Sequence, residues 1–431
     1  MNIAFYTLGC KVNQYDTQTM RELFEAAGHK EVPFAAPADV YVINTCTVTQ
    51  VADKKSRQMI SRAHELSPDA KIIVVGCYAQ RASEEVLSIP GVSLVAGTSE
   101  RKQIVKLTEA LFDGSKSVTN AVKPLHNLSF ENISATHEGR TRAHLKIQDG
   151  CDRFCTYCAI PYVRGNIRSR SLENIREELV KLEASGFKEV VLTGIHLMSF
   201  GKELHDGTDL FDVFRLFDGL DGIERIRLGS LEPQLLSEEF VNGLAENRRI
   251  CHQFHLSLQS GSDTVLARMR RRYTTSNYTE CCELLRRYMP DAAITTDIIV
   301  GFPGETDEEF NETLEFAEKT GFARIHIFPY SRRSGTVAAK MPNQIRNSVK
   351  HERAKQLIVK ADELEQAFLS RFIGDIQGVL FETCEDGFAV GYTGNYMRVK
   401  LPCIDDSLCG TIQACKLVTV VGNEIIARLA Q

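Results

Sequence analysis

The chain has 431 residues, a formal net charge of −5 and a sequence pI of about 6.2. That length predicts two or three domains around a sizeable core, and the charge confines any case for nucleic-acid binding to local patches. Thirteen cysteines, with neither a signal peptide nor a membrane-spanning run, argue against a secreted disulfide framework and predict a cytoplasmic protein that uses cysteines for metal binding or catalysis.

Three apolar strands of the first predicted domain, residues 1–135, each end at a cysteine: Cys10, Cys46 and Cys77. Helical patterns separate these strands, which predicts a parallel sheet covered by helices on both faces. The carboxyl ends of such strands share one edge of the sheet, so we expect the three thiols to meet there as metal ligands. Three unrelated buried cysteines are the alternative.

A polar stretch over residues 114–139 is the expected linker to a second domain, residues 136–371. There, a loop with Cys151, Cys155 and Cys158 directly follows a predicted strand at residues 144–148 and an Asp-Gly turn. Structural zinc sites and ordinary iron–sulfur clusters take four protein ligands, so a loop with three predicts a cluster with one open iron. Three buried cysteines that happen to lie close together are the alternative.

Six predicted strands alternate with helical patterns in this second domain. The alternation predicts a partial (β/α)6 barrel with its active site at the carboxyl ends of the strands. Polar or glycine-rich residues at those ends predict a pocket for a polar cofactor, while ordinary turns and helix caps are the alternative. These residues are Thr193, Gly194, Ser230, Glu232, Gln259 and Gly301.

Arginines follow the cysteine loop and several strand ends, where we expect them at the mouth of the barrel. They are Arg164, Arg168 and Arg170, the run at residues 268–272, and Arg332 with Arg333. This placement predicts phosphate contacts with an RNA whose base enters the pocket. A solvated helix face explains the run at 268–272 equally well.

Residues 372–431, after a long predicted helix, show five short strands with turns, which predicts a small β-barrel of the oligonucleotide-binding kind. This segment has four basic and seven acidic residues. RNA binding would therefore depend on a local face formed by Tyr392, Tyr396, Arg398 and Lys400. A folded cap without a nucleic-acid role is the alternative.

The spacing C-x-x-x-C-x-x-C, with Tyr157 before its last cysteine, resembles the radical S-adenosylmethionine superfamily. The resemblance implies that Cys151, Cys155 and Cys158 hold a [4Fe-4S] cluster. Its open iron would bind S-adenosylmethionine, and its electron would release a 5′-deoxyadenosyl radical. The same resemblance implies cofactor contacts from Tyr157, Thr193, Gly194, Ser230, Glu232 and Gln259, with adenine packed on Val300 and Gly301.

The chain as a whole resembles the methylthiotransferases of that superfamily. The similarity is carried by residues 7–16, 44–46, 76–77, 150–158, 161–165, 168–170, 256–261 and 328–331. It implies a second [4Fe-4S] cluster on Cys10, Cys46 and Cys77 that supplies sulfur, and it identifies the C-terminal barrel as similar to the RNA-binding TRAM domain.

The first motif, Leu-Gly-Cys-Lys-Val-Asn-Gln-Tyr-Asp, is most similar to the branch that acts on N6-threonylcarbamoyladenosine beside the anticodon, at position 37. The resemblance implies a tRNA anticodon stem-loop as substrate, an electron donor such as flavodoxin or ferredoxin, no membrane partner and a monomer. Other branches modify N6-isopentenyladenosine in tRNA or an aspartate of a ribosomal protein. The alternative from another class is a non-catalytic iron–sulfur RNA-binding protein, against which the glycine-rich strand ends argue.

Overall fold

The computed structural model describes residues 1–113, 119–126, 128–135, 141–403 and 405–430. Part of the expected linker, residues 114–118, 127 and 136–139, therefore lies outside the described residues. In chain order the structure has a parallel α/β unit, an open barrel of parallel strands and a small closed β-barrel. This architecture confirms the predicted fold class.

The first unit is a six-stranded sheet in the order β2-β1-β3-β4-β5-β6, and its described pairs are parallel. Tyr41 and Ile43 enter one core while Val40 and Val42 enter the other, because helices cover both faces. The strands are β1 (Asn2–Thr7), β2 (Lys30–Val32), β3 (Val40–Thr45), β4 (Lys71–Gly76), β5 (Val92–Val95) and β6 (Thr119–Asn120). The helices are α1 (Lys11–Ala26), α2 (Gln50–Leu66), α3 (Cys77–Arg81), α4 (Ser83–Leu87) and α5 (Ile104–Glu109).

The second unit is a curved row of six parallel strands. They are β7 (Arg142–Lys146), β10 (Glu189–Thr193), β11 (Arg225–Leu228), β12 (Gln253–His255), β13 (Ala293–Val300) and β14 (Arg324–Pro329). Two three-stranded halves are joined by a bridge between Ile226 and Ile250. A short antiparallel pair, β8 (Gln148–Asp149) and β9 (Arg168–Ser169), flanks the cysteine loop.

Helices cover the outside of this row and shield its apolar face. They are α6 (Pro161–Arg164), α7 (Leu172–Ala184), α8 (Leu210–Arg215), α9 (Glu238–Glu246), α10 (Asp263–Arg268), α11 (Thr275–Tyr288), α12 (Asp307–Thr320) and α13 (Asn347–Ser370). Capping boxes begin α11 at Thr274 and α12 at Thr306, so the sequence itself sets where these helices start. None of the described helices is long and apolar enough to cross a membrane.

The closed C-terminal barrel packs on the amino ends of the parallel strands. Arg142, at the start of β7, donates to Glu382 at 3.2 Å and lies 4.9 Å from the ring centroid of Tyr392. The Arg227 guanidinium lies 4.5 Å from the ring centroid of Tyr396. The barrel strands are β15 (Ile376–Glu385), β16 (Phe388–Thr393), β17 (Arg398–Pro402), β18 (Ile412–Val421) and β19 (Glu424–Leu429).

The first and second units are joined by a buried polar network at α1 and α7. The Arg170 guanidinium donates to Glu178 at 2.6 Å and to the Tyr15 hydroxyl at 3.0 Å. Tyr15 donates in turn to Glu178 at 2.8 Å. All three side chains are almost fully buried. Each one therefore supplies a hydrogen bond to a polar group that water cannot reach.

Replacing Arg170 by alanine should therefore lower the free energy of unfolding by about 3–5 kcal/mol, because Glu178 then stays buried without its charged partner. Denaturant unfolding of the cluster-free protein measures this cost. Arg215→Ala, which removes a largely exposed partner of Asp212, should cost below about 1 kcal/mol. The double variant Arg170→Met/Glu178→Leu should recover most of the loss, and equal costs for the two single alanine variants would contradict the assignment.

Candidate functional site

The cysteine loop is held in a single shape by backbone contacts at both of its ends. Cys151 N–H donates to the Gly165 carbonyl at 3.0 Å, and Thr156 N–H donates to the Met269 carbonyl at 3.1 Å. Gly150 adopts a φ of +74°, and a Cβ there would lie 1.9 Å from the carbonyl oxygen of Asn166. Only glycine fits this turn, which places Cys151 at the carboxyl end of the first barrel strand.

Each thiol of the loop accepts a hydrogen bond from the protein. The backbone N–H groups of Arg153 and Ile160 donate to Cys151 and Cys158, and Arg271 donates to Cys155 at 3.3 Å. Burial nevertheless raises the pKa of Cys151 to about 11 and that of Cys158 to about 12. A metal that binds these sulfurs as thiolates would offset this cost.

The second group of cysteines is assembled from three strand ends, as the topology predicted. Cys10 precedes α1, Cys46 follows β3, and Cys77 is the first residue of α3. Burial raises the pKa of Cys77 to about 12, and Cys10 and Cys46 act on it electrostatically in the same direction. A Cβ on Gly9 would lie 2.8 Å from the Cys46 Cβ, so the strand ends approach closely.

Both groups suit an iron–sulfur cluster with one open iron. Each offers three sulfurs, the donor type that such clusters take, and no fourth cysteine is part of either set. Hydrogen bonds to sulfur, which stabilise and tune bound clusters, reach Cys46 from the Val48 N–H and Cys77 from Arg164. The second group is therefore as well prepared for thiolate ligation as the loop.

A buried cluster of charges lies between the two cysteine groups. Arg164 donates to Asp149 at 3.0 Å and to Asp16 at 3.3 Å. Lys146 contacts the same two carboxylates at 2.6 and 2.8 Å. Burial alone would raise the pKa of Asp149, but Arg164, Lys146 and Arg168 hold it well below its usual range. Both carboxylates therefore stay ionised and tie α1 to the base of the cysteine loop.

The three arginines after the loop lie in this interface rather than at the mouth. The side chains of Arg164, Arg168 and Arg170 are 1%, 8% and 0% exposed. They pair with Asp149 and Glu178. This placement corrects the prediction that they bind RNA, because a guanidinium buried against a carboxylate has no free face for a phosphate.

Arg268 and Arg333, from the other predicted groups, are also committed to protein contacts. Arg333 is buried and pairs with Asp53 of the first unit at 2.9 Å. Arg268 pairs with Glu309 at 2.6 Å. Arg271, by contrast, donates to Cys155. This contact could not be predicted from the sequence, because the arginine run has the pattern of a solvated helix face.

A cavity of about 250 Å³ opens where the two units meet beside the loop. Residues 47–49, which follow Cys46, form one wall, and residues 157–160 of the loop form another. Barrel residues complete it, among them Gln259, Asp297, Ile299 and Phe328. The predicted cofactor residues Tyr157 and Gln259 thus line the cavity, and Cys158 contributes to the same wall.

Other predicted cofactor residues lie next to the loop or its supports. A Cβ on Gly194 would lie 2.9 Å from Gln148, whose side chain donates to the Gly150 carbonyl at 2.8 Å. Thr193 precedes it and is buried at the end of β10. Thr193 and Gly194 therefore support the base of the loop. Ser230, another predicted cofactor residue, is exposed just after β11.

Glu232 is a buried carboxylate that faces the loop. It pairs with Arg153 at 2.9 Å and with His196 at 2.5 Å. Burial alone would raise the pKa of Glu232, but the hydrogen bond to His196 and the charge of Arg271 lower it to about 2. Glu232 is consequently an anion at neutral pH, and it fixes the position of the loop through Arg153.

The structure places Val300 away from the cavity. Its side chain is 1% exposed within the barrel core, and Gly301 packs against the side chain of Lys350. Side chains alternate along a strand, so Asp297 and Ile299 face the cavity while Val300 faces the other side. This geometry does not support adenine packing on the Val300 side chain.

The two basic residues predicted to bind RNA on the C-terminal barrel are already ion-paired. Arg398 lies 2.9 Å and Lys400 lies 2.6 Å from Glu424. Tyr392 and Tyr396 stack on each other at 4.7 Å and pack against the parallel strands. RNA binding by Arg398 and Lys400 stays a prediction.

Two exposed aromatic residues, Phe154 in the cysteine loop and Tyr162 in α6, were not predicted from the sequence. Phe154 and Tyr162 are 44% and 50% exposed and pack edge to face at 5.7 Å. An apolar side chain between two metal-binding cysteines would ordinarily be assigned to the core, so the sequence held no signal of its exposure. The two rings therefore present exposed aromatic surface next to the cysteine loop.

Family models match two parts of the chain. Residues 145–317 match the radical SAM superfamily, and residues 2–97 match the uncharacterized protein family UPF0004. The chain is 40% identical to the threonylcarbamoyladenosine tRNA methylthiotransferase MtaB of Bacillus subtilis, with 94% of this chain and 91% of that protein covered. It is 35% identical to the tRNA-2-methylthio-N(6)-dimethylallyladenosine synthase of Pelotomaculum thermopropionicum, with 98% and 94% covered.

Solved structures share the fold at low sequence identity. The radical S-adenosylmethionine methyltransferase TsrM of Kitasatospora setae, with cobalamin and a [4Fe-4S] cluster bound, is similar with a TM-score of 0.57 at 14% identity. That similarity covers 76% of this chain and 74% of TsrM. At this identity the match shows the fold alone.

Gly150→Ala should disrupt the loop locally, because the added methyl group collides with the Asn166 carbonyl. We expect anaerobic reconstitution to load about half the iron of the wild type, as one of two clusters is lost. Gly186→Ala is the matched control, since Gly186 has a φ of +83° but no atom within 4 Å of an added Cβ. Equal iron contents in the two variants would show that the loop tolerates the collision.

Proposed function

The chain belongs to the radical S-adenosylmethionine tRNA methylthiotransferases, and we propose that it converts N6-threonylcarbamoyladenosine at position 37 of tRNA to its 2-methylthio derivative. The cavity carries the proposal. Its walls combine residues that follow Cys46 with Cys158, so a base held there lies between the two cysteine groups. Replacing a C2 hydrogen by a methylthio group requires access to both.

Each cysteine group has its own task in this proposal. The family uses S-adenosylmethionine and a [4Fe-4S] cluster, and methylthiotransferase relatives carry a second cluster. When bound, one cluster supplies the electron that generates the radical and the other supplies the sulfur. Cys151, Cys155 and Cys158 would hold the first, and Cys10, Cys46 and Cys77 the second. Glu232 and Arg271 keep the loop in position, while Tyr157 and Gln259 line the space for the reactants.

The relatives support threonylcarbamoyladenosine as the modified base. Proteins named for that substrate are 38–40% identical to this chain in Bacillus subtilis, Thermotoga maritima and Aquifex aeolicus, and 34% identical in Chlamydia pneumoniae. Relatives named for dimethylallyladenosine in Pelotomaculum thermopropionicum and Caldicellulosiruptor saccharolyticus are 35% and 34% identical. The difference favours the first substrate, and the second is the competing candidate.

The anticodon stem-loop would approach beside the cysteine loop, where Phe154 and Tyr162 are exposed. Phe154 and Tyr162 expose ring surface next to the cysteine loop, and exposed aromatic rings stack with unpaired RNA bases. The chain would act as a monomer in the cytoplasm, since one chain carries both cysteine groups and tRNA is found there. A flavodoxin or ferredoxin would supply single electrons.

Nucleoside mass spectrometry of tRNA from a strain that lacks this protein tests the substrate. We expect 2-methylthio-N6-threonylcarbamoyladenosine to disappear and its unmethylthiolated precursor to accumulate. Complementation with the wild-type chain should restore the product. Persistence of the product, with no second enzyme of this activity present, would contradict the proposal.

Cys77→Ala should abolish methylthio transfer while S-adenosylmethionine cleavage continues, because the loop cluster is separate from the site that Cys77 completes. Cys155→Ala should abolish both activities. Product tRNA and 5′-deoxyadenosine are measured in the same anaerobic reaction, with Cys409→Ala as a control outside both groups. Equal loss of both activities in Cys77→Ala, with the fold and the loop cluster intact, would mean that the two groups form one functional site.

The non-catalytic alternative makes the opposite prediction for the wild type. An iron–sulfur protein that only binds RNA has no reason to cleave S-adenosylmethionine. Incubating the reconstituted protein with reductant and S-adenosylmethionine should release 5′-deoxyadenosine under our proposal. Its absence would rule out the enzyme.

A further inference from the structure

A group of polar side chains lies inside the barrel, next to the cavity. Asp297 lines the cavity, and the carboxylate of Asp297 lies 3.4 Å from Nε2 of His255. His326 of the neighbouring strand joins them, and the polar atoms of the three residues all lie within 4.8 Å of one another. The cavity therefore adjoins a polar interior that the reaction at the clusters does not itself require.

Lys11 approaches the same interior from the first unit. It directly follows Cys10 and begins α1. Lys11 interacts electrostatically with His326, and also with Arg142, Arg227 and Glu189 at the far end of the strands. Lys11 thus connects the interior of the barrel with the second cysteine group, through its sequence neighbour Cys10.

Lys11 differs from the other cations there because its charge is not neutralised. Arg227 donates to Glu189 at 2.6 Å, and Arg142 donates to Glu382 at 3.2 Å. Within the described part of the chain, Lys11 Nζ makes no hydrogen bond or ion pair, and its side chain is exposed. The ring nitrogens of His326 also make no hydrogen bond to a described residue. Two polar groups at this place therefore remain available to a ligand.

The chemistry of the proposed substrate requires such a group. The threonylcarbamoyl substituent ends in a carboxylate and is attached through N6 to C6 of adenine. C6 and the reacting C2 are both bonded to N1. A residue that binds the substituent must therefore lie near the cysteine group that supplies sulfur to C2. Lys11, adjacent to Cys10, meets that condition.

We propose that Lys11, at the start of α1 and next to Cys10, binds the carboxylate of the threonylcarbamoyl group and thereby selects this base. The inference rests on the proposed function and adds its selectivity determinant. A dimethylallyl substituent has no group to pair with the ammonium and would displace its water, so the same lysine disfavours that substrate.

Two synthetic anticodon stem-loops test the subsite. One carries threonylcarbamoyladenosine at the target position, and the other carries its carboxamide, in which a neutral amide replaces the carboxylate. With both clusters loaded, the wild type should prefer the acid by about 10- to 100-fold in kcat/KM, as expected for a charged hydrogen bond. Lys11→Met should lower kcat/KM mainly for the acid, so that the preference falls towards one. Lys11→Arg should keep most of it.

Lys55→Met is the matched control, because Lys55 is an exposed lysine of α2 and should leave the preference unchanged. Iron content is measured for every variant. A Lys11→Met enzyme that loses both RNAs equally, or keeps the wild-type preference, overturns the subsite. If the wild type modifies neither RNA, the proposed function itself fails. A wild type that modifies the acid while Lys11→Met keeps its preference contradicts the subsite alone.

Discussion

A buried cluster of charged side chains, built around Asp16, Asp149, Arg164 and Lys146, fixes the two cysteine groups relative to each other. Asp16 belongs to the helix that starts after Cys10, and Asp149 accepts the N–H of Gly150 at the base of the loop. Arg164 and Lys146 bind both carboxylates. Because all four side chains are buried, removing one charge leaves another unpaired, at a cost of several kcal/mol. The geometry of the active site therefore depends on these ion pairs.

A second ionic contact joins the units on the other side of the cavity. Asp53 of α2 accepts from Arg81 at 2.8 Å and from Arg333 of the second unit at 2.9 Å. Residues 47–49, which line the cavity, lie between this contact and Cys46. Buried ion pairs thus hold the two units together beside the cavity. Such pairs have defined geometry, which restricts how the two cysteine groups can move relative to each other.

The sequence predicted the positions of functional residues correctly where the order of strands and helices alone determines them. Cys10, Cys46 and Cys77 meet because the carboxyl ends of parallel strands share an edge, and periodicity alone indicates such a sheet. The six barrel strands and the five strands of the C-terminal barrel were predicted for the same reason. The short strand Lys30–Val32 was missed, since three largely exposed residues leave no period to detect.

Predictions failed where a partner distant in the sequence decides the role of a side chain. The sequence predicted Arg164 at the mouth of the barrel, because its partner Asp16 lies 148 positions earlier and could not be recognised. The Val300 side chain faces away from the cavity that Ile299 lines, since one step along a strand moves a side chain to the opposite face. No local pattern carries either kind of information.

The docking of the C-terminal barrel covers the cations at the amino ends of the parallel strands. Tyr396 covers the guanidinium of Arg227, which shields its pairing with Glu189 from water. That face of the small barrel is consequently used for packing, and an RNA contact would have to come from another face. The ammonium of Lys11, which interacts electrostatically with Arg227 and Glu189, makes no hydrogen bond or ion pair to a described residue, so its charge remains available next to Cys10 in the sequence.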